Sequence, residues 1–256
     1  LRKRAEKKGK QLSSVAAAKV EELTPKDEKS GKKGIFAVIV AALAGGAFAL
    51  VLIEVDGSPA QVEDRLDTLR ALGRRVFRPG VTASDPTSIE RLWSIRRGAS
   101  PTIARKAGSG LISTQFIEDC VVPPARLHGY LEGLEEILEA TNFDAIVFGH
   151  AGDGNVHVNP LLDVEAGDCI ERVRRVLGEV TDLVSSLDGT LSGEHGDGRL
   201  RTPLLSRVWA PHLTRAFEQV KERVDPRSIL NPGVICPLPG QDPLEGFSPR
   251  QRVHPG

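Results

Sequence analysis

The chain has 256 residues, 40% of them hydrophobic, and its 34 Lys and Arg balance its 34 Asp and Glu. This length and apolar content allow one substantial core and leave little room for a second full-size domain. Zero net charge argues against nucleic acid as the main partner. The three cysteines are far apart and lack a Cys-x-x-Cys pair, which excludes a disulfide framework or an iron–sulfur cluster and favours a reducing, cytoplasmic compartment.

Residues 1–33 are basic, with eleven Lys or Arg against five Asp or Glu and few large apolar side chains. This composition predicts a solvated, flexible tail, and a nucleic-acid or lipid-binding arm is the alternative.

Residues 34–53 form a twenty-residue stretch without charge, long enough to cross a bilayer, with Lys32 and Lys33 at its cytoplasmic end. Gly45 and Gly46 interrupt the stretch, and residues 47–55 resemble a buried strand that enters a helix. We therefore favour a strand, and membrane association through this segment is the competing hypothesis.

The next elements alternate between helix and strand. Ser58, Pro59 and Gln61 predict a capped helix that ends near Gly73. The patterns after it predict a weak strand at 75–77, a helix from Pro86 with Leu92 and Trp93, a strand at 110–120 and a helix at 124–141. This alternation favours an α+β fold: a ferredoxin-like antiparallel sheet layer covered by helices, with a C-terminal helical segment.

Residues 145–159 predict a β-hairpin, because apolar runs flank the turn sequence Ala-Gly-Asp-Gly at 151–154. A four-residue turn places His150 opposite Asn155. The period of two then puts four polar side chains on one face of the hairpin: His150, Asn155, His157 and Asn159.

Glu194 and His195 lie in a second glycine-rich segment, whose glycines permit a turn. In such a loop Glu194 can reach a metal while His195 stays free as a base. With His150 and His157, Glu194 completes three ligands and leaves a fourth position open, which is typical of catalytic zinc. The alternative is that these histidines are ordinary hydrogen-bonding residues and that the Gly-Asp-Gly turns are structural.

Two more helices are predicted, one opened by a capping box of Asp168 and Glu171 and a last one with apolar residues between 213 and 224. Proline and glycine are frequent beyond residue 237 and apolar residues are few, so we expect residues 241–256 to be a disordered tail.

Five motifs in order resemble those of the FAD-linked oxidase C-terminal domain. They are LWSIR at 92–96, FIEDCVVP at 116–123, HAGDGNVHVN at 150–159, EHG at 194–196 and DPRSILNPG at 225–233. This domain is the substrate or cap half of the D-lactate, D-2-hydroxyglutarate and glycolate dehydrogenases, in the vanillyl-alcohol-oxidase superfamily of flavoproteins.

The resemblance implies a role for individual residues. His150, His157 and Glu194 would hold a divalent metal, most often zinc, and His195 would be the catalytic base. The remaining roles are binding of the substrate carboxylate and approach to the flavin: Arg96, Ser100 and Asn159 for the first, Asn231 for the second.

Two departures bear on the substrate and the partners. Some D-2-hydroxyglutarate enzymes have a substrate-binding lysine where this chain has Ile117, which puts that substrate in doubt. The sequence EHGDGR at 194–199 is closer to long versions fused to iron–sulfur modules, so an iron–sulfur electron-transfer module is an expected partner, although this chain contains none.

The resemblance thus implies that residues 34–240 are the catalytic half of a flavin-dependent D-2-hydroxy-acid dehydrogenase of the D-lactate or glycolate type. The small hydroxy acid would be oxidised to the 2-keto acid with metal assistance, and hydride would pass to FAD. A separate N-terminal domain, absent from this chain, would hold most of the flavin, and since the chain has no methionine we expect Leu1 to lie inside a longer reading frame. The alternatives are a metal-dependent hydrolase with a His-His-Glu site and a membrane-anchored, non-catalytic module.

Overall fold

The structure is a computed structural model that describes residues 35–42, 48–55, 57–76, 81–97, 111–245 and 247. The chain divides into two compact units, residues 1–101 and residues 102–256. The domain boundaries predicted at residues 33 and 240 stay predictions.

The first unit contains a three-stranded antiparallel sheet in the order β2-β1-β3, with two helices. Its elements are β1 (Ile35–Ala42), β2 (Phe48–Val55), α1 (Pro59–Val76), β3 (Val81–Ala83) and α2 (Pro86–Arg97).

The uncharged stretch 34–53 contains β1 and most of β2, which pair from Ile35 opposite Val55 to Ala42 opposite Phe48. The predicted strand leading into a helix is confirmed. Within the part of the chain that the structure describes, no helix is long and apolar enough to cross a membrane.

Helix α1 begins with the predicted capping box. Gln61 Oε1 accepts the Ser58 N–H at 2.9 Å, and Ser58 Oγ accepts the Gln61 N–H at 3.4 Å. The helix continues through Gly73 to Val76, so the strand predicted from residue 75 is wrong for 75 and 76. A single glycine costs a helix only about 1 kcal/mol, which is too little to end it.

The second unit is built around β7, which pairs antiparallel with β4, β5 and β6. Its strands are β4 (Ile112–Ser113), β5 (Cys120–Val121), β6 (Asp144–His150) and β7 (Asn155–Leu162). Its helices are α3 (Leu127–Ala140), α4 (Cys169–Ser186), α5 (Gly198–Arg201), α6 (Leu205–Val208) and α7 (Pro211–Val224). Antiparallel sheets combined with helices confirm the α+β class.

The strand predicted at 110–120 is wrong over most of its described length. Only β4 and the first residue of β5 are extended, and the chain turns between Phe116 and Asp119. These turn residues are buried, including the carboxylates of Glu118 and Asp119. Glu118 binds Arg201 of helix α5 and Asp119 binds backbone N–H groups of the loop before that helix, so both acidic side chains are buried in succession, which breaks the period of two that a strand requires.

The core of the second unit lies between β7 and the helices α3 and α4. All eight residues of β7 are buried, and α4 buries a continuous stripe of apolar side chains. The predicted helix at α4 is confirmed, but its capping box is wrong, because the Asp168 side chain makes no cap hydrogen bond.

Residues near the C-terminus, at 241–245 and 247, pack on this core. Leu244 is buried, and the Phe247 ring contacts the Phe116 ring edge to face at a centroid distance of 6.3 Å. Arg174 binds the Asp242 carboxylate through two hydrogen bonds. The disordered tail predicted from residue 241 is therefore wrong for residues 241–245 and 247. The few apolar side chains of this segment, Leu244 and Phe247, pack against the core.

Candidate metal and catalytic site

The hairpin of β6 and β7 has the predicted register, with His150 opposite Asn155. Its four-residue turn ends at Gly154, whose φ of +69° is left-handed. A Cβ there would lie 1.9 Å from the Val122 carbonyl oxygen, so only glycine fits. This turn sets the face on which His150 and His157 meet.

The three predicted metal ligands converge. One ligand atom from each of His150, His157 and Glu194 lies within 4.8 Å of the other two. His150 Nε2 and Glu194 Oε1 are 3.4 Å apart. Two ligands that each bind a tetrahedral zinc at about 2.1 Å are separated by about 3.4 Å, so this donor set fits a single divalent ion.

His157 is held in place by the chain behind it. The side chain is buried, and its Nδ1 lies 2.9 Å from the Glu118 carbonyl oxygen. A carbonyl can only accept, so Nδ1 is the donor of this bond, and in the neutral form of the ring the lone pair is on Nε2. Metal-binding histidines are commonly oriented by such a bond.

His195 lies beside the three ligands, as the sequence predicts. Its ring is stacked on His157, with centroids 5.2 Å apart and planes inclined by 9°. Its Nδ1 lies 3.7 Å from Glu118 Oε1. About half of the His195 side chain is exposed, so the ring is accessible from solvent.

A second group of possible ligands shares His157, together with Asp119 and His195. The Asp119 oxygens already accept hydrogen bonds from a side-chain amide, a hydroxyl and three backbone N–H groups. Among the described contacts, the Glu194 carboxylate accepts no such hydrogen bonds from backbone or hydroxyl groups, so His150, His157 and Glu194 are the better candidate for a metal site.

Asp119 is the residue that sequence reasoning missed. Burial raises the pKa of its carboxyl, but the N–H groups of His195 and Glu194, the Ser192 hydroxyl and the Asn155 amide outweigh burial. Together they hold the Asp119 pKa well below its ordinary value. An acidic pair inside the otherwise apolar segment 116–123 was the available signal.

Glu118 and Arg201 form a buried ion pair next to His195. Arg201 Nη2 lies 2.5 Å from Glu118 Oε2, and Arg201 Nη1 donates to the Gly196 carbonyl at 2.7 Å. Both side chains are largely inaccessible to solvent. The pair connects the end of α5 to the turn before β5, and no local pattern in the sequence predicts it.

The other predicted site residues are Asn159, Arg96, Ser100 and Asn231, and none of them belongs to the groups of possible metal ligands among the described residues. Asn159 is buried on β7, and its Nδ2 has no hydrogen-bond partner within the described region, so it is a donor available to a ligand. Arg96 falls in α2, but its side chain and all of Ser100 lie outside the described residues. Asn231 is exposed, with a φ of +45°, and its contact with flavin stays a prediction.

A family model described as FAD linked oxidases, C-terminal domain, matches residues 5–235. The chain is 32% identical over 188 residues to the glycolate oxidase subunit GlcD of Bacillus subtilis, covering 73% of this chain and 39% of that protein. It is 33% identical over 162 residues to D-2-hydroxyglutarate dehydrogenase of Haemophilus influenzae, covering 63% and 16%.

A third relative is the D-lactate dehydrogenase of Anaerostipes hadrus, which is 30% identical over 193 residues and is covered to 39% of its length, against 73% of this chain. The chain thus spans less than two fifths of the length of these three relatives.

Proposed function

Because this chain belongs to the FAD-linked oxidase C-terminal domain family, we propose that it is the substrate-binding and catalytic half of a flavin-dependent D-2-hydroxy-acid dehydrogenase. The reaction is oxidation of a small hydroxy acid to the 2-keto acid. The observation that carries the proposal is the convergence of His150, His157 and Glu194, with His195 stacked beside them.

The substrate is of the D-lactate or glycolate type. Relatives bear the names glycolate oxidase, D-lactate dehydrogenase and D-2-hydroxyglutarate dehydrogenase. A substrate with a second carboxylate calls for an additional cation, and the lysine that some D-2-hydroxyglutarate members use is Ile117 here. Ile117 is buried in the apolar core of the second unit, which favours a substrate with one carboxylate.

His150, His157 and Glu194 are the residues that would hold a divalent cation, and we assign it as Zn²⁺. When bound, the cation polarises the substrate hydroxyl and lowers its pKa. FAD would be held mainly by a companion domain, with Asn231 as this chain's contact to it, and would supply the hydride acceptor.

His195 accepts the hydroxyl proton. The Glu118 carboxylate lies on the Nδ1 side of the ring, which favours a proton on Nδ1 and leaves the Nε2 lone pair free. The stacking on His157 and the Gly196 carbonyl held by Arg201 restrict the motion of the ring and its loop. A base fixed in this way contributes to the rate without having to reorient.

The substrate carboxylate is bound by polar side chains that this chain supplies. Asn159 offers its unpartnered Nδ2, and a buried donor without a partner gains most from a ligand that accepts. Arg96 can bind a carboxylate through two parallel hydrogen bonds, and Ser100 adds a hydroxyl.

A hydrolase would use the same three ligands to activate water. The family match favours the dehydrogenase, and the relatives' names give no support to hydrolysis. An iron–sulfur electron-transfer module is the proposed next electron acceptor, in keeping with the EHGDGR sequence at 194–199.

The test uses the flavoprotein in which this chain is joined by its flavin-binding domain, carried by the same polypeptide or by a companion chain. Purified flavoprotein is mixed anaerobically with D-lactate, glycolate, L-lactate or D-2-hydroxyglutarate, and bleaching of the flavin absorbance is followed. We expect D-lactate or glycolate to bleach the flavin, and chelator treatment to slow bleaching until Zn²⁺ is restored. Bleaching that is insensitive to both chelator and His195→Ala would contradict the proposal.

A further inference from the structure

Asp119 is a buried carboxylate that binds the loop carrying Glu194 and His195. Its side chain is inaccessible to solvent. One oxygen, Oδ2, accepts four hydrogen bonds from consecutive residues: from the Ser192 hydroxyl at 2.7 Å and from the backbone N–H groups of Gly193, Glu194 and His195 at 2.9, 2.9 and 2.8 Å.

Three successive N–H groups aimed at one atom fix the backbone of this loop, in the manner of the backbone nests that bind anions. Because the amides point toward Asp119, the side chains of Glu194 and His195 are free to extend away from it. They reach the two hairpin histidines: Glu194 Oε1 lies 3.4 Å from His150 Nε2, and His195 stacks on His157.

The other side of Asp119 is anchored to the hairpin. Its Oδ1 accepts a hydrogen bond from Asn155 Nδ2 at 3.0 Å. The next residues form β5, which pairs with β7, and Val121 exchanges two backbone hydrogen bonds with Thr190 at 2.9 and 2.8 Å. The hairpin and the loop, which supply all three proposed ligands, are therefore both attached to the segment that begins at Asp119.

We infer that Asp119 is a positioning residue that sets the affinity of the site for a divalent cation, by holding Glu194 in place for His150 and His157. It is not a ligand itself, since both of its oxygens are committed to the loop and to Asn155. The inference rests on the proposed cation site and deepens it. Loss of a group that orients a metal ligand typically lowers affinity about 10–100-fold.

The experiment measures Zn²⁺ binding by the full 256-residue chain, in competition with a chromogenic chelator and well below the unfolding temperature. Asp119→Asn keeps the shape of the side chain but removes its charge. We expect the Zn²⁺ affinity to fall about 10–100-fold with one ion still bound. Ser192→Ala removes only one of the donors to Oδ2 and is expected to cause a smaller fall.

Asp225→Asn is the matched control. Asp225 is also a buried carboxylate, and it accepts the backbone N–H groups of Ile229 and Leu230 and a bond from Lys221. This substitution is expected to lower the unfolding midpoint and leave Zn²⁺ affinity unchanged. An equal loss of affinity in Asp225→Asn and Asp119→Asn would show general destabilisation and would overturn the inference.

Hydrogen exchange of the metal-free chain gives a second readout. We expect the amides of Glu194 and His195 to exchange faster in Asp119→Asn and at the normal rate in Asp225→Asn. The Gly193 N–H also donates to the Asp119 backbone carbonyl at 3.0 Å, a bond that the substitution keeps. If the unaltered chain fails to bind Zn²⁺, the metal site of the proposed function and this inference both fall. If the unaltered chain and Asp119→Asn bind Zn²⁺ equally well, the inference alone is overturned.

Discussion

The imidazole rings of His157 and His195 are stacked almost parallel, with an angle of 9° between their planes. His157 is buried and fixed by the Glu118 carbonyl, whereas about half of the His195 side chain is exposed. The proposed base therefore rests against the proposed ligand, and the two rings differ in their access to solvent.

Replacement of the base separates its role from that of the ligands. In the full-length flavoprotein, His195→Ala is expected to slow flavin reduction by D-lactate or glycolate about 10²–10⁴-fold, the usual contribution of a positioned base. The zinc content should not change, since His150, His157 and Glu194 remain. Rapid mixing measures the rate and atomic absorption the metal; a parallel loss of zinc would instead identify His195 as a ligand.

Replacement of a ligand is expected to change zinc binding, whereas replacement of the base is not. Glu194→Gln should lower Zn²⁺ affinity by more than the roughly 10–100-fold expected for a residue that only orients a ligand. Asp153→Asn is the control, because Asp153 is an exposed carboxylate in the hairpin turn. Chelator competition measures both variants, and equal affinities would exclude Glu194 from the metal site.

The hairpin turn gives a prediction about stability. Gly154→Ala combines a left-handed φ with a Cβ placed 1.9 Å from the Val122 carbonyl oxygen, so the free energy of unfolding should fall by at least about 1–3 kcal/mol. Gly152→Ala, two residues earlier in the same turn, meets nothing within 4 Å and should be close to neutral. Urea unfolding of the two variants checks this. Equal stabilities would contradict the close approach of Gly154 to the Val122 carbonyl.

The C-terminal segment gives a second stability prediction. Leu244→Ala removes a buried side chain and should cost about 2–5 kcal/mol of unfolding free energy. Leu238→Ala makes the same chemical change at an exposed position and should stay within about 0.5 kcal/mol of the unaltered chain. A neutral Leu244→Ala would show that the segment is not packed in solution.

Asp225 gives a prediction about acid stability. The Lys221 ammonium and the N–H group of Ile229 lower the pKa of its carboxyl, against burial, which raises it. A carboxyl whose folded pKa is depressed adds stability above its unfolded pKa of about 4, and this stability is lost as pH falls through the folded value. Urea titrations from pH 7 to pH 3 should show a smaller loss of unfolding free energy for Asp225→Asn than for the unaltered chain. The same dependence of unfolding free energy on pH in both proteins would contradict the prediction.

The hairpin register could be predicted from the sequence because it depends on local features. A four-residue turn and an alternation of period two are enough to place His150 opposite Asn155. The capping box of α1 is local in the same sense, and it too was predicted from Ser58 and Gln61.

The residues that the sequence did not reveal act over long separations. Asp119 binds Asn155 and the loop at 192–195, at separations of 36 to 76 residues, and Glu118 pairs with Arg201. The segment 116–119 looked like a strand because its apolar residues are typical of one. Composition likewise predicted a disordered tail. It counts few apolar residues there but carries no information on where Leu244 and Phe247 pack on the core.

Strand β5 is only two residues long, yet it pairs with β7 on one side and with Thr190 on the other. For protein engineering this means that the two glycine-rich motifs are not a portable module. A graft of residues 144–162 and 190–201 onto a foreign framework would carry all three proposed metal ligands. It would lose the segment with Asp119 and β5, which connects the hairpin to the loop. The smallest transferable unit includes residues 116–121 as well.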